Sequence, residues 1–230
     1  MSAGGAHFSP GLFAYLRELK ANNEKAWFDA NRDRYEALLV EPAIQFILDA
    51  GPHLKRVSPH FRADPRKNGG SLFRIYNDRR FKPDAPPYKT HVGIQFRHDR
   101  GKDAHAPGIY LHLEPGGCFL GVGSWRPESK ALKKIRAAID EDPKGWTKAA
   151  HQGAFPKHFD LAGDSLKTQP RGTDPDHPMI EDLRRKDFIG VCDLTEKEVT
   201  SPDFLKTFSA RVKAGGPFLK WVCEAVEAAF

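Results

Sequence analysis

After Gly69 and Gly70 the apolar residues of this chain stop recurring every third or fourth position and begin to alternate. Phe73 and Ile75 face one way and Arg74 and Tyr76 the other; Val92, Ile94 and Phe96 repeat the pattern, and Ile109, Leu111 and Leu113 repeat it again. A period of two belongs to a strand with one buried face. The tight Pro115, Gly116, Gly117 turn then leads into CFLGVG. Parallel pairing needs a crossover of about a dozen residues or more, so strands this closely spaced are expected to form an antiparallel meander.

Helical periods flank that region. Ser9 and Pro10 supply an N-cap and a first-turn proline for a helix bearing Leu12, Phe13, Leu16 and Leu19, which ends near Ala21. A second helix follows Asn22 and Asn23 and carries Trp27, Phe28, Tyr35, Leu38 and Leu39. Pro42 is expected to kink or restart it, and Ile44, Phe46, Ile47, Leu48 and Leu54 continue the repeat towards Ser58 and Pro59. Downstream, Pro127 and Glu128 open a helix with Leu132, Ile135 and Ile139, residues 163–178 read as a surface loop, and FIGVCDL from Phe188 reads as one more strand. Ser201 and Pro202 cap a further helix, and residues 218–230 form a last amphipathic one. The expectation is a single α+β domain over residues 8–230, an antiparallel sheet meander packed by N-terminal and C-terminal helices. Phe73, Ile75, Ile94, Leu111 and Leu113 should then be buried together on one side of the sheet.

No apolar run approaches the roughly 20 residues needed to span a bilayer, so no membrane partner is expected. The start, MSAGGAHFSPG, lacks the basic and apolar segments of a signal peptide, and the three cysteines, Cys118, Cys192 and Cys223, form no CxxC pair. These features point to a soluble, cytoplasmic protein with reduced thiols. Net charge is only +6, but from Arg62 to Lys89 eight basic residues face three acidic ones, a local +5. The remainder is nearly balanced, which argues against a surface coated in positive charge for nonspecific nucleic-acid binding.

The segments NNEKAWF, FRIYNDRRFKPDAPPYKTH, YLHLEPGGCFLGVGSWRPE and DPDHP, in that order, resemble the bacterial and fungal family known as domain of unknown function 2461. The resemblance runs from about Phe8 to the C-terminus. The family pattern, an Arg four residues before an Asp that is followed by Arg-Phe and later by Pro-Tyr-Lys, falls on Arg74, Asp78, Arg80, Phe81, Pro87, Tyr88 and Lys89. Asn77 and Ala85 stand where a basic residue is common in the family, which removes charge at the edge of the site. The resemblance implies a shared fold and a shared site but no activity.

If the strand stays extended to Phe81, then Arg74, Tyr76, Asp78 and Arg80 share a face, as do Tyr110, His112 and Glu114 on another strand. Arg74, Arg80 and Lys89 could converge on a carboxylate or phosphate, with Asp78 orienting the guanidiniums and Tyr88 or His112 adding a neutral hydrogen bond. The competing structural interpretation is a salt-bridge lattice that locks the PAPPYK loop onto the sheet. His112 and Glu114 also suit an acid-base pair or the start of a metal site, but two ligands are too few, and Asp176 with His177 would have to fold back from far along the chain. No metal is therefore expected, and no cofactor. GGCFLGVG lacks the GK[ST] ending of a phosphate loop, and no GxSxG elbow is present.

The leading functional expectation is a protein that binds, or acts on, a small anionic or phosphorylated ligand at the polar face of the sheet. Its site residues are Arg74, Asp78, Arg80, Tyr88, Lys89, His112 and Glu114. The alternatives are an interaction module that grips nucleic acid or an acidic protein through residues 62–89, and an adaptor with no small-molecule ligand. A deep pocket holding Arg74 and His112 favours the first, and an open basic surface the second.

Overall fold

The computed structural model of the chain describes residues 5–80, 84–101 and 106–230. Its first half runs α1 (Pro10–Ala21), α2 (Lys25–Ala30), α3 (Arg32–Tyr35), a π-helical turn (Glu36–Val40), α4 (Glu41–Lys55), β1 (Phe61–Arg62), β2 (Val92–His98), β3 (Gly108–Leu113) and β4 (Cys118–Ser124). The second half adds α5 (Ser129–Glu141), α6 (Pro143–Ala150), β5 (Asp160–Ala162), α7 (Ile180–Leu183), β6 (Phe188–Leu194), α8 (Glu196–Val199) and α9 (Phe204–Ala225). The strands make one open, six-stranded sheet in the order β1, β2, β3, β4, β6, β5, and every pairing is antiparallel. With helices before and after it, this is an α+β fold.

Alternation sets the register. Ile94, Leu111, Leu120 and Cys192 lie opposite one another in a single row across β2, β3, β4 and β6, and all four are buried. Helices α4 and α9 cover this apolar face: Phe46 of α4 stacks on Phe204 at 5.5 Å, and Phe208 of α9 meets Phe96 of β2 at 5.7 Å. Offset and edge-on aromatic contacts of this kind add to the burial of each ring. Among the described residues no helix is long and apolar enough to cross a membrane.

Several expectations need correction. Residues 204–225 are one continuous helix through Gly215, Gly216 and Pro217, where the sequence suggested two. Packing decides this, because Gly215 lets Val122 and Phe159 approach to within 3.2 and 3.3 Å of where a Cβ would sit, and burial of the whole α9 face outweighs the backbone bond that Pro217 removes. Pro42 stands in the first turn of α4 and the π-helical turn just before it makes the adjustment, so the helix is neither broken nor capped there. Residues 73–76 form no regular strand. Only isolated bridges remain, Leu72 with Ile94 and Tyr76 with Tyr88. Consequently Leu72, rather than Phe73, takes the inward position beside Ile94, while Ile75, Ile94, Leu111 and Leu113 are buried as expected. Phe73 is half-buried on the opposite face, with its ring 5.8 Å from that of Tyr110.

Candidate functional site

The two bridges show why the ladder fails. Tyr76 lies four positions after Leu72, whereas Ile94 lies six positions after Tyr88. Two extra residues must therefore leave the line of β2 just before it begins, as in a β-bulge, a device that re-aims side chains. The displaced stretch lies between Lys89, whose backbone N–H still donates to the Ile75 carbonyl at 2.7 Å, and Gly93, whose carbonyl accepts from the Phe73 N–H at 2.9 Å, and it holds Thr90 and His91. Lys89 turns its ammonium onto the carbonyls of Arg74 and Tyr76, at 3.0 and 2.5 Å. Burial, followed by the positive charge of Arg74, pushes the Lys89 pKa below its ordinary value.

Thr90 and His91 meet the polar end of β3. There Tyr110, His112 and Glu114 share a face, as their spacing requires, and hydrogen bonds link them. The Tyr110 hydroxyl donates to His112 Nδ1 at 3.1 Å, and His112 Nε2–H donates to Glu114 Oε2 at 3.2 Å. Thr90 Oγ1 donates to Glu114 Oε1 at 3.3 Å. The His112 ring is clamped between Phe119, stacked at 4.7 Å, and His91, at 4.4 Å. Gly93 faces His112 across the ladder, and a Cβ there would lie 2.7 Å from the Tyr110 hydroxyl, so glycine keeps room for that side chain.

Electrostatics separates these groups. Burial, reinforced by the nearby His112, pushes His91 down to about 4. Burial alone would raise Glu114, but the bond from His112 and the neighbouring imidazoles and Thr90 outweigh it and hold the carboxyl below its ordinary value. Burial and the Glu114 charge push Tyr110 up to about 12, so it stays a neutral donor.

The structure divides the residues singled out from sequence into three groups. His112 and Glu114 are in direct contact, and Lys89 and Arg74 lie at the adjoining edge. Asp78 and Arg80 form their own exposed ion pair at 2.5 Å, two residues apart in the chain, and Arg80 holds the Asp78 carboxyl well below the usual carboxylate range. The extended strand that was to align Arg80 with Arg74 is absent. Tyr88 points elsewhere: its ring is buried against Phe28 at 4.1 Å, and Asn23 clips its backbone through both amide atoms, at 2.9 and 3.0 Å. Phe81 lies outside the described residues. The His177 ring accepts from the Met179 backbone N–H and sits 3.3 Å from Asp140, so it belongs to the α5 side of the molecule.

His91 was missed from sequence. The signal was present, a histidine two residues beyond Lys89 and immediately before the strand, but its aim depends on the bulge. The expectation of no metal rested on His112 and Glu114 being only two residues of ligand type, and His91 brings a third such side chain within 4.8 Å of them. Arg74 and His112 line none of four surface cavities, those around His53 and Lys213, Leu39 and Val92, His7 and Glu41, and Lys148 and Trp221. His91, in contrast, lines the small cavity around Leu39 and Val92.

An α+β protein with an open antiparallel sheet, carrying a histidine and carboxylate cluster at one sheet end, is the class these observations define. Residues 11–221 match the family model of the conserved hypothetical proteins DUF2461, and the chain belongs to that family. Two segments that carry the resemblance, NNEKAWF and PPYKTH, meet at the Asn23, Phe28 and Tyr88 contacts. No curated protein and no solved structure matches the chain.

Proposed function

We propose that this protein binds a small anionic ligand, such as a phosphate or carboxylate compound, at the edge where Arg74 and Lys89 adjoin His91, His112 and Glu114. One observation carries the reading. Arg74 and Lys89 lie close enough for one charge to lower the pKa of the other, and Asp78, whose charge reaches both, makes its direct ion pair with Arg80 instead. Two neighbouring cations with no carboxylate among the described residues in direct contact form a spot of positive potential, and a guanidinium offers a two-point grip on an oxyanion.

Local pairing weighs against the nucleic-acid or acidic-protein alternative. Arg66 pairs with Asp64, Lys67 with Glu36 and Arg80 with Asp78, so the local charge excess does not present an unbroken basic stripe. Three free, buried thiols, Cys118, Cys192 and Cys223, support placement in a reducing compartment such as the cytoplasm.

The test is calorimetric titration of chelator-treated protein with inorganic phosphate, pyrophosphate and a small dicarboxylate. Arg74→Ala is expected to weaken the binding anion about tenfold, the low end for a hydrogen bond to a charged group because Arg74 is exposed, with an unchanged thermal melt. Unaltered binding in that variant contradicts the reading. Binding of single-stranded nucleic acid in place of these anions, with steep salt dependence, favours the alternative.

A further inference from the structure

We propose that His91, His112 and Glu114 form a site for one divalent transition-metal ion of the zinc, iron(II) or manganese class. The proposal stands on the arrangement of these three side chains and does not depend on the anion reading. Each offers one ligand atom, and the three atoms lie within 4.8 Å of one another. Ligands about 2.1 Å from a tetrahedral ion are about 3.4 Å apart, so side-chain closure of no more than about 1.4 Å completes the set. Two imidazoles and one carboxylate suit borderline first-row ions, whereas calcium and magnesium prefer oxygen alone.

The surroundings are those of a supported ligand set. A histidine that ligates through one nitrogen needs a partner on the other to fix its ring. His112 has one, since the Tyr110 hydroxyl lies 3.1 Å from Nδ1 while Nε2 faces Glu114. When an ion takes Nε2, the ring proton moves to Nδ1 and is donated to the Tyr110 oxygen, with no net change in protonation. Phe119 stacks at 4.7 Å and sets the plane of the ring. Thr90 holds one Glu114 oxygen at 3.3 Å and leaves the other turned towards His112. His91, half-buried, makes no hydrogen bond with any described residue, so ligation would displace no existing partner.

A second cluster supplies the contrast. His60, His98 and Asp99 are also grouped. Both nitrogens of His98 are already committed, Nε2 donating to the Ala229 carbonyl at 2.7 Å and Nδ1 accepting from the Arg100 backbone N–H at 3.1 Å. That ring serves to tie down the C-terminal segment. Three protein ligands at the first cluster leave further coordination positions for water or an oxyanion.

The experiment uses the tag-free full chain, stripped with chelator and titrated calorimetrically with zinc chloride in phosphate-free buffer, with cobalt(II) absorption as a second readout. One equivalent should bind. His91→Ala and Glu114→Gln should each weaken zinc at least about a hundredfold, and Tyr110→Phe, which removes only the orienting hydroxyl, about ten- to a hundredfold. His60→Ala should change nothing. Circular dichroism melts check folding, and His91→Ala is decisive because that side chain has no hydrogen bond to lose. Absence of stoichiometric binding by the folded wild type, equal binding by His91→Ala, or loss of binding in His60→Ala each overturns the proposal. Anion titrations on stripped protein fail or succeed separately from this result.

Discussion

Replacing Asp182 with Ala is expected to cost the fold about 3 to 5 kcal/mol, the usual scale for removing one partner of a buried charged cluster. Asp182, at the first turn of α7, is buried and accepts from three side chains: the Trp146 indole N–H at 2.7 Å, His151 Nε2 at 2.7 Å and Arg185 Nε at 3.0 Å. Trp146 is itself fully buried between Phe188, Phe218 and Trp221. Without the carboxylate, its N–H and the Arg185 guanidinium lose their acceptor in a place that water does not easily reach. The same cluster predicts a pH dependence. Burial alone would raise the Asp182 carboxyl, but the three donors outweigh it and the net shift is downward. A group whose folded value lies below its unfolded one contributes fully above the ordinary carboxylate range and loses that contribution as pH falls through the folded value. Urea melts from neutral to acidic pH should therefore show an acid-side loss of stability that Asp182→Asn reduces. A variant as stable as the wild type at neutral pH would contradict this account of α6 and α7.

Gly123→Ala should be nearly as damaging. Gly123 has φ of 115°, a conformation that L side chains rarely adopt, and an added Cβ would lie 2.2 Å from the Phe188 carbonyl oxygen and 2.9 Å from the Phe218 ring. The carbonyl belongs to the end of the β4 and β6 pairing and cannot swing aside like a flexible side chain. Backbone strain and overpacking together predict a loss of at least about 3 kcal/mol. Gly116 supplies the control, since its φ is 76° but nothing lies within 4 Å of the added atom. Gly116→Ala should cost only about 1 to 2 kcal/mol, the intrinsic price of that backbone region. Denaturant melts of the two variants that move the midpoint equally would refute the steric argument.

The sheet was legible wherever alternation and pairing agreed. Val92, Ile94 and Phe96, then Ile109, Leu111 and Leu113, read as half-buried strands because each has a full ladder partner. The segment from Phe73 to Tyr76 alternates equally well, but the bulge opposite it is a tertiary feature that leaves no periodic trace. His91 was lost for the same reason, whereas Tyr110, His112 and Glu114, aligned by strand parity alone, were found. The Gly215, Gly216, Pro217 run looks like a helix boundary by propensity, and only the neighbours packed around it show that the helix continues. Helix α6 had a readable start, with Asp142 accepting from the Gly145 N–H and Pro143 in the first turn, but its short apolar pattern drew no notice.

In the proposed arrangement the bulged residues before β2 and the polar end of β3 together form a ligand-bearing edge. Anomalous diffraction at the cobalt edge, from crystals of the cobalt-loaded full chain, tests it most directly. The expected result is an anomalous peak bounded by His91, His112 and Glu114. A map with no peak there, or with the ion held instead by His60 and Asp99, would contradict it.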